Sequence, residues 1–122
     1  MKSYVDLDQA RKLAEILPLD TADMCYIKGK AHLGFLYEEY KECGDTVLQE
    51  YEPCWSLSPL LSVLPILERK GYQKAKPQLL YNVAINKWIV NSHIYTTNAY
   101  DNLVDACYEM IVKLHELNLL VL

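Results

Sequence analysis

Apolar residues recur at helical spacing in three stretches of this chain and at strand-like spacing in two others. In the first helical stretch Leu7, Ala10, Leu13, Ala14 and Leu17 share one face, with Asp8, Arg11, Lys12 and Glu15 opposite. That is the stripe of a helix lying on a core. Asp6 and Gln9 have capping-box spacing, each side chain within reach of the other's backbone N–H. Pro18 then disfavours helical geometry in the residue before it, so the pattern predicts a helix near 7–17. The second stretch places Leu57, Leu60, Leu61 and Leu64 on one face. Ser56 or Ser58 can cap it and Pro59 falls in its first turn, while Pro65 kinks or ends it, giving a helix near 57–64. In the third, Leu103, Cys107, Met110, Leu114 and Leu117 form a stripe that Val104, Tyr108 and Ile111 widen. Asn98 is the expected cap, Asp101 adds negative charge to the first turn, and Lys113 and His115 sit near the negative end of the dipole. Asp105, Glu109 and Glu116 are the expected solvent side of this helix, near 99–117.

Gln78–Ile85 and Trp88–Tyr95 are rich in β-branched and aromatic residues and flank Asn86-Lys87. They predict a hairpin near 78–95 with a two-residue turn. Met24–Ile27 has the character of a short strand ended by Gly29. The rest of 20–53 is ambiguous, because HLGFLYEEYKEC fits a period of two and a period of 3.6 together. Glu38, Glu39, Lys41 and Glu42, with Gly44 as a C-terminal stop, favour the helix. Val47–Glu52 is expected as a connector or short strand. The expected class is α+β: one domain, residues 1–122, with a small antiparallel sheet packed against the three helices. The breadth of the last stripe implies that its helix docks on the hairpin with Leu103, Met110 and Leu114 buried. Four successive apolar residues, Leu119-Leu120-Val121-Leu122, imply a tail tucked onto the fold or into an interface.

Composition sharpens this picture mainly by exclusion. In 122 residues, 52% are hydrophobic and 23% charged, enough apolar material for a core and too much for disorder. A net charge of −4 gives no basic footprint for nucleic acid or an anionic membrane, although ERKGYQKAK, around Arg69 to Lys76, is locally basic. No apolar run reaches the length of a membrane span, and MKSYVDLDQARK lacks a signal-peptide core. The expected location is therefore cytoplasmic, with Cys25, Cys43, Cys54 and Cys107 reduced. Ten Tyr against one Phe is unusual. A tyrosine ring buries area while its hydroxyl keeps contact with water or a partner, so the excess suits interfaces as well as the rim of a small core.

No chemical constellation emerges. His32, His93 and His115 stand far apart, and no C-x2-C, H-x3-H or H-E-x-x-H pair is present, so no metal or other cofactor is implied. KGKAHLG matches neither phosphate-loop pattern. Cys54, just ahead of the helix opened by Ser56, is the one cysteine with a reason to be activated, and His93 is the group that would have to approach it. Trp88, Tyr81, Tyr95, His93 and Trp55 are the candidate binding residues. Trp88 and Tyr95 fall on opposite faces by strand parity, which would expose one of them, and Trp55 is expected in the core. The acidic run YEEYKECGDTVLQEYE and the basic ERKGYQKAK separate charge along the chain, which can steer a partner.

PCWSLSPLLSVLP and NLVDACYEMIVKLHELNLL resemble signatures of a group of small uncharacterised proteins of Bacteroides-type gut bacteria and their phage or mobile elements. The resemblance covers Pro53 to Leu120. It implies an α+β domain, a bacterial or phage origin and a small free-standing protein, and it transfers no catalytic residue. The expectation is a non-enzymatic accessory protein working through contacts with a protein partner or by self-association. The alternative is a small enzyme or ligand-binding domain using Cys54 or His93 beside the aromatic residues.

Overall fold

The computed structural model describes residues 2–34, 51–68 and 74–120. The fold is α+β. In chain order it runs α1 (Leu7–Ile16), a 3₁₀ turn (Leu19–Thr21), β1 (Met24–Ile27), β2 (Lys30–Leu33), β3 (Tyr51–Cys54), α2 (Leu57–Val63), β4 (Leu67–Glu68), β5 (Lys74–Ala75), β6 (Gln78–Asn82), β7 (Lys87–Asn91) and α3 (Leu103–Glu116). All described strand pairs are antiparallel: a three-stranded sheet in the order β2-β1-β3, and the two-stranded ladders β4-β5 and β6-β7.

The capping box of α1 is complete. Gln9 N–H donates to Asp6 at 2.8 Å and Asp6 N–H donates to the Gln9 side chain at 3.0 Å. Pro18 ends the helix and starts the 3₁₀ turn, where Thr21 donates to the Pro18 carbonyl. β1 and β2 are joined by Lys28-Gly29, both with positive φ. Two left-handed central residues are the signature of a type I′ turn, whose twist matches that of the strands it joins. Gly29 therefore does not merely end a strand; it turns the chain into a second one. His32 and Leu33, expected at the start of a helix, belong to β2, and Gly34 closes it with φ +86°. The remainder of that expected helix, residues 35–43, and the connector at 47–50 lie outside the described residues. β3 continues directly into Trp55.

The elements meet around one core containing Val5, Leu13, Met24, Cys54, Trp55, Leu60, Val90, Val104, Cys107, Met110, Ile111 and Leu114. α3 packs against α2, β7 and α1, and α1 also packs on β3. The N-terminal segment lies antiparallel to Trp55–Leu57, with Val5 N–H donating to the Trp55 carbonyl and Leu57 N–H to the Ser3 carbonyl. The expected docking of α3 on the hairpin is present, with Met110 and Leu114 buried and Leu103 partly so.

Several boundaries move. The cap of α3 is Asn102, whose side chain accepts from Asp105 N–H at 2.8 Å, and not Asn98, so Asp105 rather than Asp101 occupies the first turn. The helix ends in a Schellman motif: Asn118 takes φ +57°, its N–H donates to His115, and Leu119 N–H donates to Leu114 at 2.8 Å. This reversal carries Leu119 and Leu120 back onto the core and leaves Leu117 exposed, off the stripe assigned to it. Val121 and Leu122 lie outside the described residues. Ser56 is the N-cap residue of α2, but its hydroxyl donates to Asp23 instead of capping the helix. The β6-β7 connection is a four-residue loop, Val83–Asn86, closed by Asn82 opposite Lys87, and not a two-residue Asn86-Lys87 turn. Asn82 accepts from Ala84 N–H and Asn86 takes φ +51°, so two asparagines shape the loop where one was expected.

Candidate functional site

Among the described residues, the hairpin β6-β7 gathers five exposed large apolar side chains within seven consecutive positions, Leu79 to Ile85. β7 is half-buried under α3, with Val90 fully buried. Every residue of β6 is exposed. Leu79, Leu80 and Tyr81 are 38%, 45% and 46% exposed, and the loop adds Val83 at 76% and Ile85 at 52%. Apolar side chains gathered on one strand and its loop mark a contact surface more than single exposed residues do. From Pro77 to Asn86 there is no charged residue, so this edge lacks the lysines and inward charges that commonly protect a free strand.

Hydrogen-bond parity fixes which backbone groups the edge presents. Trp88 exchanges both of its backbone bonds with Tyr100, at 2.6 and 2.9 Å. Val90 accepts from Thr97 N–H and donates to the Thr97 hydroxyl, both at 3.0 Å. Both residues thus turn their N–H and C=O away from β6. In an antiparallel ladder the residues opposite them, Tyr81 and Leu79, turn theirs away from β7 in the same way. Leu79 and Tyr81 therefore present two N–H and two C=O groups at the open side of β6, where no described strand pairs with them. Their side chains lie on the face of Trp88 and Val90. Tyr81 meets Trp88 with ring centroids 4.9 Å apart, and its hydroxyl donates to Asn86 at 3.0 Å.

The other candidate residues go elsewhere. β7 ends at Asn91 and the chain reverses through Ser92, whose hydroxyl accepts from Ile94 and Tyr95 N–H. The parity argument thus does not apply to Tyr95, which is outside the strand. Its hydroxyl donates to Glu109 at 2.6 Å and its ring lies 5.3 Å from Lys113 Nζ. His93 is exposed in the turn after β7. Trp55 is fully buried, with Nε1 donating to the Thr21 hydroxyl at 2.9 Å; it offers no surface.

Cys54 is also fully buried, its thiol 3.7 Å from the Val5 carbonyl, which also accepts from the Tyr26 hydroxyl. Burial pushes the Cys54 thiol up to about 12 and the Cys107 thiol likewise. A thiol held protonated and away from water is not a nucleophile at neutral pH. Cys25, Cys54 and Cys107 are free and buried, and Cys43 lies outside the described residues. Among the described residues no group of three or more His, Cys, Asp or Glu is placed to hold a metal ion, and no helix is long and apolar enough to cross a membrane. Residues 69–73 of the basic stretch lie outside the described part.

Two carboxylates of α3 expected in solvent instead organise the structure. Glu109 accepts from the Tyr95 and Tyr100 hydroxyls, both at 2.6 Å, and from the backbone and side chain of Asn98. Asp105 accepts from Lys2 at 2.7 Å, Gln9 at 2.8 Å and Asn102 at 2.8 Å. Partial burial opposes the charge on each, and the hydrogen bonds outweigh it, holding both carboxyls below their ordinary values. Glu109 fastens the 95–100 segment to α3, and that segment supports β7 through Trp88-Tyr100. Four donors from Tyr95, Asn98 and Tyr100 converge on Glu109, which thereby clamps that segment. Glu109→Gln should cost about 1.5–3 kcal/mol at neutral pH, nearer the lower figure because the group is partly solvated. A lowered folded value means that the contribution is complete above the unfolded value near 4.5 and disappears as pH falls through the folded one. Urea melts of the two proteins should differ at pH 7 and converge in acid; a constant gap would remove the clamp.

No protein-family model, curated protein or solved structure matches this chain.

Proposed function

We propose that this is a non-enzymatic accessory protein, bacterial or phage in origin, that acts through protein–protein contacts at the β6 edge and the Val83–Asn86 loop. The observation carrying the reading is the coincidence of an uncharged, apolar strand with the outward-facing N–H and C=O groups of Leu79 and Tyr81. Main-chain groups of this kind provide affinity in strand addition, and the side chains flanking them provide selectivity. The likeness of Pro53–Leu120 to small proteins of gut bacteria and their mobile elements supports the origin, and the excess of tyrosine and the uneven charge support a role in contacts. The full burial of Cys54, against the exposure of His93, favours this reading over an enzyme that would use the two together.

A photo-activatable phenylalanine at Val83 tests the reading in cells of the native host. It should give a discrete protein adduct, while the same residue at Ser58, exposed at the start of α2, should give none. No adduct at position 83, or equal labelling at both positions, overturns the assignment.

A further inference from the structure

β6 has the order amide, apolar, Leu, apolar, amide: Gln78-Leu79-Leu80-Tyr81-Asn82. The pattern is nearly the same read in either direction about Leu80. We propose that the occupant of this edge is a second copy of the chain, whose β6 pairs antiparallel with the first about a two-fold axis at Leu80. The proposal rests on the reading of β6 as a docking edge and names its partner.

Three properties of the strand converge on this register. First, the outward-facing backbone groups belong to Leu79 and Tyr81. Centring the two-fold on Leu80 sets Leu79 of each copy opposite Tyr81 of the other, and such opposed pairs exchange both N–H···O bonds. All four outward groups of each copy are then satisfied. A shift of one residue would set outward groups against groups already engaged with β7. Second, every pair matches in character: Gln78 faces Asn82, Leu79 faces Tyr81 and Leu80 faces Leu80. Third, the neutrality of Pro77–Asn86 removes the penalty that most edges would incur, because near a two-fold any charge meets its own copy, and like charges directly opposed are destabilising. The product is a continuous four-stranded sheet, β7-β6-β6-β7. In it Leu79 and Tyr81 cover each other on the face that carries α3, and the two Leu80 side chains meet on the outer face. An isologous interface of this kind closes at the dimer and leaves no edge of the same type to extend into a fibre.

Leu80 is the residue to test, because its side chain is 45% exposed and its backbone bonds to β7 do not depend on it. Leu80→Lys and Leu80→Glu should each fold, with melting curves close to the unmodified chain. In sedimentation equilibrium the full chain should dimerise, and each variant alone should do so at least about tenfold more weakly. An equimolar mixture of the two variants should regain the dimer, since the introduced lysine of one copy then faces the introduced glutamate of the other. Amide exchange at Leu79 and Tyr81 should slow as protein concentration rises. A full chain that stays monomeric to about 1 mM overturns the self-pairing; a position-83 adduct to a different protein would leave the docking edge standing. A dimer that tolerates Leu80→Lys overturns the use of this edge, and failure of the mixture to regain the dimer overturns the two-fold at Leu80.

Discussion

Trp55→Ala should lower the stability of the fold by about 3–5 kcal/mol, the range for deleting a fully buried large aromatic side chain. Trp55 is the largest side chain completely removed from solvent, and it sits where three parts of the chain meet. Its carbonyl accepts from Val5 N–H, fixing the N-terminal segment, and its indole N–H donates to Thr21 in the turn leading into β1. The next residue, Ser56, donates its N–H to Asp23 at 2.9 Å. Truncation would leave a cavity in the core and remove the indole's hydrogen bond to Thr21, whose hydroxyl keeps its bond to the Pro18 carbonyl. A small domain has about 5–15 kcal/mol in total, so the variant should show a large fall in urea midpoint or fail to fold. Trp55→Phe should fall between, keeping a ring and losing the hydrogen bond to Thr21. An unchanged midpoint for Trp55→Ala, with unchanged slope, would contradict the placement of this side chain.

What could be read from the sequence follows how local each signal is. α1 was legible because its cap, its stripe and its stop are all written within thirteen residues, Asp6 to Pro18. The strand Met24–Ile27 was legible from its composition, yet its partner β2 was not, because Lys28-Gly29 is a weaker turn signal than Asn-Gly and the following HLGFLYEEYKEC fits either period. The cap of α3 shows a different limit. Asn98 and Asn102 are each followed three residues later by an aspartate, so the start signal is written twice. Tertiary contacts choose the second: Tyr100 is held extended by two backbone bonds to Trp88, and Asn98 is committed to Glu109. Neither contact has a local signature.

The same reason hid the roles of Asp105 and Glu109. Their helical phase places them off the apolar stripe, which suggests solvent, while their partners come from Lys2, Gln9 and the 95–100 segment. The excess of tyrosine was the available hint, since Tyr95 and Tyr100 both direct hydroxyls to one carboxylate. At the β6 edge, Tyr81 and Trp88 were legible as candidates from composition and meet in space. Leu79, Leu80 and Val83 were missed, because an apolar strand carries no mark in its sequence of whether anything covers it. Only the ladder β6-β7, with α3 lying over β7, shows that β6 is left outside.

The last helix offers the sharpest comparison between a stripe drawn from periodicity and burial in the fold. Leu114 and Leu117 are three residues apart and belong to one face by spacing. Leu114 is fully buried and Leu117 is 42% exposed, because the left-handed turn at Asn118 ends the helix and swings Leu119 across in its place. Leu114→Ala should therefore cost about 2–5 kcal/mol. The helix that carries it is packed by both β7 and α2, so moving one element would not close a cavity on its buried face. Leu117→Ala should change stability by no more than about 0.5 kcal/mol, as expected for a surface site. The backbone of Leu114 also accepts the Leu119 N–H that completes the Schellman motif, a bond that substitution of its side chain leaves intact. Loss of stability in Leu114→Ala thus reports packing and not the helix end. Parallel urea titrations of the two variants decide the matter: equal costs would restore the simple periodic stripe, and a neutral Leu114→Ala would remove α3 from the core.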